Sequence, residues 1–97
     1  MYYIENTEIL LFDPKRFGLS QRTIIGQLSP KHFVIIKDRK SRIIMKDGNQ
    51  ILEQIKLIHD NEPNTKISLA TNAAVCSKTT AFLILKGIDV LSLDKNI

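Results

Sequence analysis

From residue 43 onward the chain alternates short apolar runs with segments of helical periodicity, and that order admits few folds. Ile43-Ile44-Met45 reads as a strand, after which Ile51, Leu52, Ile55 and Ile58 fall on one helix face and Glu53, Gln54, Lys56 and His59 on the other. Asp47 or Asn49 can accept hydrogen bonds from the amides at the start of that helix, and Asn61-Glu62-Pro63-Asn64 ends it. Lys66-Ile67-Ser68-Leu69-Ala70 reads as the next strand. Thr71 to Ser77 reads as a loop into a second helix running through about Lys86, with Gly87 as its cap. Val90-Leu91-Ser92-Leu93 is the last strand. Such an order pairs its strands in parallel through right-handed crossovers.

Upstream, Phe33-Val34-Ile35-Ile36 and Ile43-Ile44-Met45 flank the polar string Lys37 to Arg42, the pattern of a β-hairpin with a charged tip. Neither run alternates with polar residues, so both faces of the strand centres are expected to be covered. Ile9-Leu10-Leu11-Phe12, closed by Asp13-Pro14, predicts a strand at the sheet edge. Ser20 could cap a short helix through Gln21 to Ile25 ended by Gly26, and Ser29-Pro30 marks a turn. The expected fold is one α/β domain over residues 1–97: a small single-layer mixed sheet in which a β-hairpin is followed by a βαβαβ parallel unit.

The composition is that of a globular chain, 43% hydrophobic and 25% charged with four Gly and three Pro, which supports neither disorder nor a collagen-like repeat. A single Cys excludes an intrachain disulfide framework and a cysteine-rich zinc site, consistent with a reducing compartment. No run approaches a membrane span, and Met1-Tyr2-Tyr3-Ile4-Glu5 lacks the layout of a signal peptide, so a cytoplasmic location is expected. The charge is lopsided. Nine of the fourteen Lys and Arg residues lie between Lys15 and Lys46, where Asp38 is the one acid, so this stretch carries +8 and the remainder −4. A face of that kind attracts polyanions.

Lys37, Arg39, Lys40, Arg42 and Lys46 place five cations within ten residues, and each phosphate they neutralise would release counterions and give salt-sensitive affinity. They are the expected nucleic-acid contacts, to DNA or RNA. Phe33 is the one nearby ring, so a stacking platform for single strands is not evident. The competing explanation is that hairpin tips carry charge for solubility and to block edge pairing.

The loop Thr71 to Thr80 lies beyond a strand and before a helix, where open α/β sheets place ligands. Asn72 to Thr79 has the spacing of a Walker A loop, and Ser77-Lys78-Thr79-Thr80 resembles its Gly-Lys-Thr-Thr end. Asn72 and Ser77 stand where that motif needs glycines, so the site reading of Thr71, Asn72, Ser77, Lys78 and Thr79 is phosphate or anion binding in place of nucleotide hydrolysis, against the plainer explanation that Ser and Thr cap helices wherever helices begin. The run Ile67 to Leu93, with Cys76 before the helix and Lys86-Gly87-Ile88-Asp89-Val90 after it, resembles the first strand-helix-strand of a glutaredoxin. That resemblance implies a reactive thiol, whereas no cis-proline loop or further strand pair follows, and a buried, inert Cys76 is the plainer expectation.

Asp38, Lys40, Asp47 and Glu53 invite a metal-dependent nuclease, because phosphodiester cleavage uses clustered carboxylates and some restriction-type nucleases use a hairpin followed by a helix. Asp47 is equally explained as a helix cap. His32 and His59 have no matching ligand set, so neither a metal nor a cofactor is expected. Ala81-Phe82-Leu83-Ile84-Leu85 is apolar nearly all round, so one face of the second helix needs a cover: the N-terminal segment or the second subunit of a homodimer. The leading expectation is a small basic nucleic-acid-binding protein. The alternative is a non-enzymatic oligomeric regulatory module with an anion site at 71–80, and enzymatic activity is the less expected outcome.

Overall fold

The computed structural model describes residues 2–95. Its elements are β1 (Tyr2–Ile4), β2 (Thr7–Glu8), β3 (Leu10–Phe12), a 3-10 turn (Pro14–Phe17), β4 (Ile24–Ser29), β5 (His32–Lys37), α1 (Met45–Asn61), β6 (Lys66–Thr71), α2 (Ser77–Leu85), β7 (Val90–Ser92) and β8 (Asp94–Lys95). Five strands form a mixed sheet in the order β3-β4-β5-β6-β7, and a second sheet has the order β2-β1-β8. β5, β6 and β7 are parallel, joined through α1 and α2, which is the expected βαβαβ order with β5 in place of residues 43–45 as its first strand. The expected N-terminal strand is present as β3 at the sheet edge.

The hairpin is real but differently composed. β5 pairs antiparallel with β4, around Pro30-Lys31 and with a bulge near Leu28, and not with residues 43–45. The segment read as a short helix therefore supplies strand β4 from Ile24. Two β-branched residues at its start suit a strand, and the pairing with β5 outweighs a weak local cap at Ser20. Ile43 makes one parallel bridge to Val75, and α1 begins at Met45, ahead of the expected cap. The string read as a hairpin tip is consequently the end of β5 at Lys37 and a crossover loop from Asp38 to Arg42, not a projecting tip.

Both sheet faces are covered, as the uninterrupted apolar runs require. Phe33 and Ile35 of β5 with Ile67 and Leu69 of β6 meet Ile51, Ile55 and Ile58 of α1 and Leu83 of α2. On the opposite face Val34, Ile36 and Ala70 meet Ile4, Ile9 and Leu93 of the small sheet and its flanks. The β1–β2 connection is a two-residue turn through Glu5 and Asn6, at φ 48° and 67°, the mirror-image geometry that matches strand twist in tight hairpins. The N-terminal segment thus packs on the face away from α2 and does not cover that helix, where Ile84 and Leu85 remain 60% and 81% exposed. No helix among the described residues is long and apolar enough to cross a membrane.

His32 opens β5, and its Nε2 lies 2.7 Å from Oγ of the fully buried Ser68. Burial holds the imidazole below its ordinary pKa of 6.5, helped by Lys66 and opposed by Asp89. The folded state therefore favours neutral His32, so stability is full above about pH 6.5 and falls as pH drops from there through the lower folded-state pKa. Urea melts between about pH 7 and 5 should show this loss, and His32→Gln should flatten it. An unchanged slope in the variant would assign the pH effect elsewhere.

Candidate nucleic-acid interface

Parallel strands that feed helices bring their carboxyl ends to one edge, and here Lys37 ends β5 and Thr71 ends β6 side by side in register. The two loops leaving that edge, 38–44 and 72–76, are the two candidate sites of the sequence. They are stitched together. The Ile43 amide donates to the Ala74 carbonyl and the Cys76 amide to the Ile43 carbonyl, each at 2.9 Å. The Asn72 side chain accepts from the Arg39 amide at 3.0 Å and donates to Asp38 at 2.9 Å, while the Tyr2 hydroxyl donates to the other Asp38 oxygen at 3.0 Å. Cationic loop and anion loop form one surface. Both helix N-termini open onto it, adding their partial positive charge.

Arg39 organises this surface. Its guanidinium donates to Asp47 at 2.6 Å and to the carbonyls of Ser41 and Arg42 at 3.2 and 3.1 Å. Asp47 also accepts from the Ile44 amide at 2.9 Å, half of a capping box at a position where Ile44 has no side-chain oxygen to offer. The hydrogen bond from Arg39 is the main reason that the Asp47 carboxyl is held below its ordinary pKa. Lys37 is half-buried, and burial, followed by the nearby Arg39, depresses its pKa against the pull of Asp47. Of the five cations expected to meet phosphate, Lys40, Arg42 and Lys46 are exposed, Lys37 and Arg39 are partly withdrawn, and Lys78 joins the exposed set from α2.

The 71–80 residues divide similarly. The Thr71 hydroxyl donates to the Lys37 carbonyl at 2.7 Å and accepts from the Ala73 amide at 3.0 Å, and Thr71 is buried. Asn72 clamps the two loops. Thr79 is fully buried, its methyl group beside Gly48 of α1, where a Cβ would come within 3.0 Å. Asn72, Ser77 and Lys78 are exposed, and of these Ser77 and Lys78 take no part in the clamp. Helix packing therefore removes Thr79 from any anion site.

Cys76 is half-buried, not sealed in the core. The Thr79 amide is the largest cause that lowers its pKa from the ordinary 9.0, followed by the Lys78 amide, with the Thr79 hydroxyl and Arg42 adding to it. Iodoacetamide labelling should accordingly show a pH midpoint below 9, moved upward by Arg42→Ala. A midpoint at or above 9 in the native chain would contradict this assignment.

The carboxylates read as a nuclease centre are engaged by other groups or stand alone: Asp38 serves Tyr2 and Asn72, Asp47 serves Arg39, and Glu53 is on the exposed side of α1. No group of three His, Cys, Asp or Glu that could hold a metal ion occurs among the described residues. His59 meets the Thr65 carbonyl at 3.0 Å, at the other end of α1 from this edge.

With this edge defined, comparison with known proteins is informative. The fold resembles that of EndoMS. The chain superposes on the EndoMS–dsDNA2 complex with a TM-score of 0.71 at 16% identity, covering 97% of this chain and 39% of that one. Against EndoMS in apo form the values are 0.66 and 13%, with 95% and 38% covered. A repair endonuclease from Pyrococcus abyssi superposes with a TM-score of 0.60 at 11% identity, over 75% of this chain and 32% of that one. At these identities the likeness is one of fold, and the chain spans less than two-fifths of each of these proteins. No family model and no curated protein matches the sequence.

Proposed function

We propose that this chain is a duplex-DNA-binding module that grips the phosphate backbone through Lys40, Arg42, Lys46 and Lys78, with Lys37 and Arg39 supporting the loop that carries them. The observation that carries the reading is the merging of two sequence-distant segments into one cationic edge, at the carboxyl ends of β5 and β6, by the Ile43–Val75 bridge and the Asn72 clamp. The EndoMS fold solved with dsDNA supports it. Residues 37–46 and 71–80 contain no aromatic ring, so the two loops themselves offer bases no stacking platform and the charges favour a backbone already held in duplex form.

Four phosphate contacts imply a slope of log K against log salt of about −3.6, or roughly 10²-fold weaker binding between about 50 and 200 mM. Anisotropy titration of a labelled duplex and of its single strand across salt tests the reading. A duplex preference with that slope supports it. Equal affinity for both strands' forms, or a slope near zero, removes it.

A further inference from the structure

At the opposite edge of the sheet, where the parallel strands begin, a groove of about 200 Å³ runs between the second half of α1, the start of β6 and the α2–β7 connection. Its floor is apolar, made by Leu52, Ile55, Ile67 and Ile88, and its rim carries Lys56 on α1, Lys66 on β6 and Lys86 after α2. Lys66 is paired to Asp89 at 2.5 Å. Lys86 lies 5.8 Å from the centre of the Phe82 ring, and among the described residues neither it nor Lys56 has a carboxylate partner. Two ammonium groups without a carboxylate partner, one of them resting over the Phe82 ring, therefore flank an apolar slot.

Size decides what such a slot can hold. Cofactor and small-molecule pockets typically occupy about 300–1,000 Å³, more than is available here. A single large apolar side chain does fit, and the flanking cations would meet carboxylates on either side of it. We propose that this groove is a docking site for an acidic peptide segment of a partner protein, anchored by one aromatic or aliphatic side chain and flanked by Asp or Glu. The site lies on the edge away from the Lys40–Arg42 loop, so it does not depend on the DNA reading and a docked peptide leaves that edge open.

The test is anisotropy titration of a short fluorescein-labelled peptide, one central phenylalanine flanked on both sides by aspartates, with the full chain. Saturable binding should weaken by roughly tenfold or more when the phenylalanine is replaced by alanine, the anchor's burial being lost. Lys56→Glu and Lys86→Glu should each weaken it at least as much, while Lys40→Glu, on the far edge, should leave it unchanged. All three positions are exposed, so the fold tolerates the changes, and circular dichroism confirms this. Equal affinity for the alanine peptide, loss in Lys40→Glu but not in Lys56→Glu, or no saturation by about 1 mM peptide overturns the proposal.

Discussion

Replacing Lys40, Arg42 and Lys46 together by alanine is expected to weaken duplex-DNA binding on the order of 10²–10³-fold at about 0.1 M salt. Each lost phosphate contact takes about 0.9 from the salt slope, so the slope should fall from about −3.6 to about −0.9, leaving Lys78 alone. All three side chains are exposed and the described residues give none of them a carboxylate partner, so stability should change little. Arg39→Ala should behave differently. Its guanidinium is spent on Asp47 and two carbonyls, so its removal loosens the loop and weakens binding with little change in slope. A triple variant that binds duplex as the parent does would place the DNA surface elsewhere or nowhere.

Gly26→Ala should cost about 1–3 kcal/mol, which for a domain of this size lowers Tm by roughly 5–20 °C. In a strand, removing a glycine ordinarily helps, because the unfolded chain loses freedom. Here the sign reverses. A Cβ on Gly26 would come within 2.2 Å of Cγ2 of Ile9 and 3.0 Å of the Leu10 carbonyl oxygen. Ile9 is 3% exposed and holds the small sheet against Val34 and Ile36, and its Cγ2 methyl is fixed to a branched Cβ. Relief must come from separating the strands. A double-mutant cycle with Ile9→Ala checks the cause, since Gly26→Ala should cost much less in that background. Equal cost in both backgrounds would deny that the Ile9 contact is responsible.

The first expectation rests on charges that are neighbours along the chain and the second on a contact between residues far apart, which is why the sequence showed them unevenly. Residues 66–93 were legible because their signals are local: short runs rich in apolar residues at 67–70 and 90–93, a helix entry at Ser77, and Gly87 at φ 79° closing α2. Residues 20–45 were not. Ile24 and Ile25 carry no pattern that separates a helical turn from a strand, and only pairing with Ile35 and Ile36 decides the matter. The run 43–45 looks like a strand, yet its one pairing is the Ile43–Val75 bridge, and Asp47 then starts α1 from below by accepting the Ile44 amide.

The candidate site shows the same division. Its cations and its loop were both visible as residue types, and the exposed positions of Lys40, Arg42 and Lys46 needed no more than their solvation to follow. That Arg39 is an organiser, that Thr79 is core, and that Asn72 joins the two loops could not be read from composition or spacing. The Asn72 clamp depends on the parallel register of β5 and β6, the burial of Thr79 on the packing of α2 against α1, and the role of Arg39 on the path of its loop into α1.

The sequence by itself determined the order of the elements from α1 to β7, the burial of both faces of the central strands, and the concentration of positive charge. Periodicity, chain breakers and charge are properties of neighbours along the chain. Tertiary structure alone decided which strand completes the hairpin, what covers the second sheet face, and that the two candidate sites are one edge. Those outcomes are set by strand pairing and side-chain packing between segments tens of residues apart, whose partners no local pattern names.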